Sequence, residues 1–147
     1  MNIRKIDRFT VEVYNAVIRL LPQLDSESVL PSKEHFKKIL RSDRSHFFIA
    51  ELDSRQIVGM LTIATYDIPS GTKVWIEDVV VDGSQRGKGF GRELMLFAVD
   101  FARTTGAKAI ELTSRPSRIA ANKLYRELGF VIRETNMYKL ILEDSAS

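Results

Sequence analysis

The stretch Arg86–Arg92 places three glycines and three basic residues within seven positions, RGKGFGR. Closely spaced glycines leave backbone N–H groups uncovered by side chains and allow conformations that other residues avoid. A helix that starts at such a turn adds free N–H groups and the positive end of its dipole. This pattern predicts an anion site suited to a phosphate. The alternative is a tight strand-to-helix turn that carries basic surface residues.

Two adjacent acidic residues, Glu77 and Asp78, precede this turn inside an otherwise apolar segment. A carboxylate among valine, isoleucine and tryptophan is costly to bury without a purpose, and it can accept a proton from a nucleophile. Consecutive side chains of a regular strand point to opposite faces, so one acid should face a cleft and the other should face away. The alternative is that both face water or pair with a nearby Lys or Arg.

A strand and a helix must position these groups on either side of the turn. The segment Lys73–Asp82 contains VWIEDVVV and predicts a strand, because β-branched and aromatic residues predominate. From about Gly89 to Thr105, apolar residues recur at helical spacing and predict a helix. Gly106 follows as the residue that ends this helix.

The remaining elements follow from apolar periodicity and turn residues. Helices are predicted at residues 9–21 with Pro22 as the stop, after an N-cap at Ser32, and at residues 117–128. Further strands are predicted at residues 3–7, 46–51, 57–66, 109–113, 130–132 and 135–142. We therefore expect one α+β domain (three-layer αβ type) over residues 1–147, with residues 143–147 as a loose tail. Its single mixed, mostly antiparallel sheet should have six to seven strands, flanked by about four helices.

Composition argues against several other kinds of site. The chain has no cysteine, which excludes disulfides and a cysteine nucleophile, and its two histidines, His35 and His46, do not indicate a metal site. No apolar run approaches the roughly 20 residues of a membrane span, and charged residues interrupt the N-terminus, so a cytoplasmic location without membrane association is expected. The net charge of +3 is modest. Basic residues are not interleaved with aromatic residues, so no nucleic-acid partner is expected.

The glycine turn resembles a motif of one known family. It matches neither the Walker A loop nor the dinucleotide GxGxxG pattern. Residues 86–91 do match R/Q-x-x-G-x-G/A, the acyl-CoA-binding motif of the GNAT family of N-acetyltransferases, and Gln85 extends the match to QRGxGxG. Residues 121–130, ANKLYRELGF, resemble that family's AxxxYxxxGF ending. The resemblance covers about residues 46–142.

The resemblance implies the GNAT fold, acetyl-CoA as co-substrate and no metal. In this family the backbone amides of the turn hold the pyrophosphate of coenzyme A. The strand before the turn pairs with the pantetheine arm, at the point where this strand separates from the next one. A bulge near Val79–Val80 would help the two strands to separate. An amide of Val79 or Val80 would polarise the thioester carbonyl. The implied cofactor-binding residues are Val79, Val80, Val81, Arg86, Gly87, Lys88, Gly89, Phe90, Gly91, Arg92, Asn122 and Tyr125.

The resemblance also implies catalytic residues. Tyr125 matches the tyrosine that the family often places near the coenzyme A sulfur, as acid or hydrogen-bond donor; helical spacing alone would favour a packing role. Asn122 lies one turn earlier, with a solvated helix asparagine as the alternative. The Ile-Glu-Asp-Val-Val pattern is similar to that of glucosamine-6-phosphate and related small-amine acetyltransferases, where the acid lies close to the amine. Glu77 is therefore the candidate base, and Glu77, Asp78 and Arg118 are candidate substrate contacts; Arg118 could equally be a solvated helix cap.

The implied reaction is direct transfer of an acetyl group to a primary amine, because no cysteine is available to form an acyl-enzyme. A small-molecule amine is the favoured acceptor. An acetyl-CoA-binding sensor or interaction module with the same fold, and a protein-amine acetyltransferase, are the alternatives. Dimers are common among similar proteins, so a homodimer is compatible with the resemblance.

Overall fold

The computed structural model describes residues 1–143. Those residues form two compact units, Met1–Thr113 and the part of the chain from Ser114 onward. None of their helices is both long enough and apolar enough to cross a membrane. The elements, in chain order, are β1 (Asn2–Lys5), α1 (Val11–Leu24), α2 (Lys33–Arg41), β2 (Ser45–Glu51), β3 (Ile57–Ile68), β4 (Gly71–Val81), α3 (Phe90–Thr104) and α4 (Ile119–Glu127).

The first unit is built around an antiparallel sheet in the order β1-β2-β3-β4. One face of the sheet packs against α1 and α2, where Ile49 and Met60 join Leu20 and Phe36 in the core. On the other face, the ring of Phe48 contacts Phe97 and Phe101 of α3. The two helical layers therefore bury alternate residues of the central strands, as the period of two in a strand requires.

Most helix ends agree with the prediction. The hydroxyl of Ser32 accepts a hydrogen bond from the His35 N–H at 3.0 Å and caps α2, and Gly106 follows the C-cap of α3 with φ +81°. The predicted stop at Pro22 is wrong, since α1 continues to Leu24. Pro22 lies in the last turn of α1, where its missing N–H removes one hydrogen bond from a helix that is already ending.

The sheet is smaller than predicted: among residues 1–143 it has four strands rather than six to seven. The predicted strand 109–113 contributes one parallel bridge, between Trp75 and Glu111. The predicted strands 130–132 and 135–142 are absent, and the side chains of residues 131, 132 and 135–142 are exposed, for example Val131 at 83% and Tyr138 at 87%. A segment forms a strand only beside a hydrogen-bonded neighbour, whereas its composition indicates only its propensity to be a strand. Residues 144–147 of the predicted tail lie outside the described residues.

Candidate active site

The glycine turn adopts a conformation that requires glycine. Gly87 and Gly89 have φ values of +80° and +83°, in the left-handed region that costs other residues about 1–2 kcal/mol. A Cβ atom added at either position would meet no atom within 4 Å. Packing therefore does not explain these glycines. They shape a turn whose backbone borders open space.

The turn leads directly into the N-terminus of α3. Gly89 is the N-cap, and no side chain caps the helix. The first helical hydrogen bond of α3 runs from the Glu93 N–H to the Gly89 carbonyl at 3.1 Å. The N–H groups of Phe90 and Gly91 therefore have no helical acceptor, as is general for a first turn. They supply the donors and the positive dipole end that an anion needs.

Basic side chains border the same turn. Arg86 and Lys88 are exposed, and the Lys88 Nζ atom donates to Gln85 Oε1 at 2.8 Å. Backbone donors, mobile positive charge and open space occur together here. These features fit a phosphate-like anion.

A buried carboxylate fixes the start of the turn. Asp82 is 9% exposed and accepts hydrogen bonds from the N–H and the hydroxyl of Ser84, both at 3.0 Å. From α1, Arg19 pairs with Asp82 and donates to the Ile57 carbonyl at 2.7 Å. The Ser84 N–H is the main cause that holds the pKa of Asp82 below its usual value; the Ser84 hydroxyl and Arg19 lower it further. Gln23 also reaches the turn, accepting from the Gly83 N–H at 2.8 Å.

Sequence reasoning missed these contacts of Arg19, Gln23 and Asp82. The signal for Asp82 is weak, an aspartate two residues before a serine, which is compatible with a local turn cap. No local pattern links it to Arg19, which lies 63 residues away in the chain.

A β-bulge interrupts β4 beside the turn. Met60 pairs with Val80 and Thr62 pairs with Glu77, so Asp78 and Val79 together lie opposite Leu61. Asp78 has φ +50°, a value that aspartate tolerates better than most residues do. The family resemblance implied a bulge one residue later. Such bulges re-aim side chains next to functional sites.

The edge of β4 that faces away from β3 is hydrogen-bonded only in its first half, as judged within residues 1–113. The Ile76 N–H donates to the Glu111 carbonyl at 2.9 Å, and the Glu111 N–H donates to the Val74 carbonyl at 3.0 Å. Past Ile76, no backbone hydrogen bond within residues 1–113 joins that edge of β4 to another segment. The backbone over residues 77–81 can therefore pair with an extended ligand. Val79, Val80 and Val81 lie in this open part.

Both acids lie on the cavity side of the sheet. A cavity of about 470 Å³ is lined by Asp78 and Thr62 among other residues. Glu77 lies opposite Thr62 in the ladder, and such partners share a face. The bulge adds Asp78 to the same side, so it breaks the alternation from which a single inward acid was expected.

Each of these carboxyl groups has a raised pKa. Both residues are exposed at the surface, and partial desolvation by the surrounding protein is the main cause for Glu77, to which the charge of Asp78 adds. Partial desolvation alone accounts for Asp78. Neither carboxylate forms an ion pair or hydrogen bond with the residues that the structure describes. Pairing with a Lys or Arg is therefore not supported, whereas the exposure of both residues agrees with the alternative in which they face water.

The second unit contains the other predicted site residues. Tyr125 of α4 is 8% exposed, and its ring centroid lies 6.1 Å from that of Phe130. The Asn122 Nδ2 atom donates to the carbonyls of Arg115 and Arg118, both at 2.8 Å. Arg118 is the N-cap of α4 without a side-chain cap bond. Asn122 thus ties the 115–118 loop to the helix, and its Oδ1 atom has no hydrogen-bond partner among the described residues.

The motifs at the turn and in α4 find independent support in known proteins. The sequence model of the Acetyltransferase (GNAT) family matches residues 11–130. The chain belongs to this family. It is 28% identical over 123 residues to an uncharacterized N-acetyltransferase of Bacillus subtilis (strain 168), covering 82% of this chain and 84% of the relative. This confirms the resemblance to the GNAT family inferred from residues 85–91 and 121–130.

Two further proteins are similar to this chain, one in sequence and one in structure. An uncharacterized N-acetyltransferase of Methanocaldococcus jannaschii is 26% identical over 102 residues, which span 68% of this chain and 45% of that protein. An aminoglycoside acetyltransferase from an uncultured soil metagenomic sample has a similar structure, with a TM-score of 0.83 at 20% identity over 97% of this chain and 96% of that one. At that identity the likeness shows the GNAT fold.

Proposed function

We propose that this GNAT protein transfers the acetyl group of acetyl-CoA directly to the primary amine of a small molecule. The glycine turn carries the proposal, because Gly87 and Gly89 hold left-handed conformations beside open space at the N-terminus of α3. The amides of residues 87–91 would bind the diphosphate, with Arg86, Lys88 and Arg92 supplying positive charge. The open edge at Val79–Val81 would pair with the pantetheine arm.

The reaction requires an unprotonated amine and the departure of a thiolate, and these two requirements differ in their free-energy cost. An alkylamine with a pKa near 10 is neutral in about one molecule per thousand at pH 7, a deficit of roughly 4 kcal/mol. A thiol with a pKa near 8.5 leaves as thiolate with a deficit of only about 2 kcal/mol. A base is therefore the larger requirement. Bound acetyl-CoA supplies the activated thioester.

Glu77 is the proposed base, directly or through one water molecule. Partial desolvation and the charge of Asp78 raise its pKa, which makes its carboxylate a stronger proton acceptor at neutral pH. Asp78 lines the adjacent cavity and would hold the amine in its ammonium form before deprotonation. The backbone amide of Val79 or Val80 would stabilise charge on the thioester oxygen.

Tyr125 is the proposed hydrogen-bond donor to the leaving sulfur. A free tyrosine with a pKa near 10 would protonate a thiolate uphill, so hydrogen bonding is the role that we assign to it. Asn122 would contact the cofactor through Oδ1, and Arg118 would contact the cofactor or the acceptor. The absence of cysteine from the sequence excludes a cysteine acyl-enzyme, so the amine attacks the thioester directly.

Thiol release from acetyl-CoA in the presence of a panel of primary amines tests the proposal. A protein without cysteine contributes no thiol background to this assay. We expect release that depends on both the amine and the protein. Binding of acetyl-CoA without release for any amine would instead support a sensor or interaction module. Release only with lysine-containing peptides would support a protein acceptor.

A further inference from the structure

The cavity beside Asp78 suggests which amines the protein accepts. We propose that the acceptor is a primary amine with a single positive charge and an apolar alkyl or arylalkyl body. The body would fill the cavity, and the ammonium group would meet the Asp78 carboxylate. This inference rests on the proposed acetyl transfer, because it describes the acceptor of that reaction.

The cavity walls are mainly hydrocarbon. They come from α1, the loop before α2, α2 itself, β2 and β3, and include Leu21, Ile39, Phe47 and Met60. The volume of about 470 Å³ falls within the roughly 300–1,000 Å³ of typical small-molecule pockets. Walls of this kind gain free energy from an apolar ligand and offer little to a polar one.

The rim of the cavity is apolar as well. Val29 is 91% exposed and Leu30 is 44% exposed, both in the loop before α2. Large apolar side chains at the mouth of a pocket gain stability when a ligand covers them. A hydrocarbon body extending from the cavity would cover them, whereas a hydroxylated body would not.

The polar lining fits one positive charge. Asp78 is the only acidic residue among the described residues that line the cavity. The other polar lining residues are Ser32, His35 and Thr62, none of which is acidic, and the Ser32 hydroxyl is already engaged in capping α2. A polycationic amine would bring further ammonium groups against hydrocarbon walls, where unpaired charge is strongly unfavourable. The arrangement therefore favours a monoamine over a polyamine.

The position of Asp78 strengthens this assignment. Its φ of +50° and its place in the bulge put a residue with left-handed backbone conformation in the lining of the cavity. Such conformations are concentrated at functional sites. Its carboxylate has no ion-pair partner within residues 1–143, so it is available to an incoming ammonium group.

Calorimetric titration with a homologous series of n-alkylamines, from propylamine to octylamine, tests the inference directly. The dissociation constant should fall by roughly two- to fourfold for each added methylene until the cavity is full. Ethanolamine and spermidine, as a hydroxylated and a polycationic comparison, should bind more weakly than hexylamine. A dissociation constant independent of chain length, or tighter binding of spermidine, would overturn the inference.

Three variants separate the charge from the apolar surface. Asp78→Asn removes the charge while keeping a residue that tolerates the left-handed conformation, and it should weaken hexylamine binding about tenfold or more. Leu30→Gln should flatten the chain-length dependence. Leu96→Gln is its matched control, since Leu96 is 46% exposed on α3 and does not line the cavity; it should bind like wild type. Unchanged binding in both cavity variants would contradict the assignment.

Thiol release measured with the same amines distinguishes the two proposals. Chain-length-dependent binding without release would show that the cavity binds such amines but would reject them as acetyl acceptors, and with that the inference. Release with ethanolamine or spermidine but no binding of alkylamines would reject the inference and keep the transferase activity. Neither binding nor release with any amine would reject both.

Discussion

The substitution Gly89→Ala separates strain in the glycine turn from loss of the acetyl-CoA site. Gly89 has φ +83°, and an added Cβ would meet no atom within 4 Å. In the free protein, alanine should therefore introduce only conformational strain. This strain should lower the free energy of unfolding by about 1–2 kcal/mol. For a domain of this size, that corresponds to a fall in melting temperature of about 2–8 °C.

Acetyl-CoA binding should suffer more than stability does. The turn amides would donate hydrogen bonds to a charged diphosphate, each worth roughly 1.5–3 kcal/mol, and the new Cβ would occupy the space above them. Misplacing one such donor should weaken binding roughly ten- to hundredfold. Isothermal titration calorimetry with acetyl-CoA measures this change.

Gly106→Ala is the matched control at the other end of the same helix. Gly106 has φ +81°, and an added Cβ there also meets nothing within 4 Å. It should lower the melting temperature about as much as Gly89→Ala while binding acetyl-CoA like wild type. If both variants bind acetyl-CoA equally, the glycine turn is not the diphosphate site and the reasoning fails.

The other predictions concern the catalytic residues and Asp82. Tyr125→Phe should lower kcat about tenfold or more, with the calorimetric affinity for acetyl-CoA nearly unchanged. The control Tyr138→Phe, at an exposed tyrosine of the second unit, should have no effect. A normal kcat in Tyr125→Phe would remove the proposed role of Tyr125. Because the pKa of Glu77 is raised above 4.5, the acid limb of the wild-type pH–rate profile should lie above that value. Glu77→Gln should abolish this limb and lower kcat/KM at pH 7. A retained limb would exclude Glu77 as the base. The pKa of Asp82 lies below 3.8 in the folded protein, so its charge stabilises the fold above that pH and the benefit is lost as pH falls through the folded pKa. Urea unfolding should therefore show Asp82→Asn less stable than wild type at pH 7 and equal to it near the acid end; an equal difference at both pH values would contradict this.

Local features of the site were predictable from sequence. The turn at Arg86–Gly91 and the helix after it depend on glycine spacing and apolar periodicity within about twenty residues, and both appear where expected. The family motifs rest on the same local residues. The presence of an acid in the cleft was also expected, because carboxylates are rare within apolar strands.

Features that depend on distant partners were not predictable. The bulge at Asp78–Val79 arises from the register between β3 and β4, and it determines that Asp78 lines the cavity. The pairing of Arg19 with Asp82 joins residues 63 positions apart. The overestimated sheet has the same origin, since strand propensity at residues 130–142 does not specify a hydrogen-bonded neighbour.

The most direct test of the central claim compares a primary amine with its N,N-dimethyl analogue. Hexylamine and N,N-dimethylhexylamine share an apolar body and a single positive charge, but only the primary amine can form a stable amide. With acetyl-CoA and the wild-type protein, we expect thiol release equal to the amount of N-acetylhexylamine measured by mass spectrometry, and no release with the dimethyl analogue. Equal release with both amines, or acetyl-CoA binding without acetylated product from any primary amine, would contradict the proposed transferase activity.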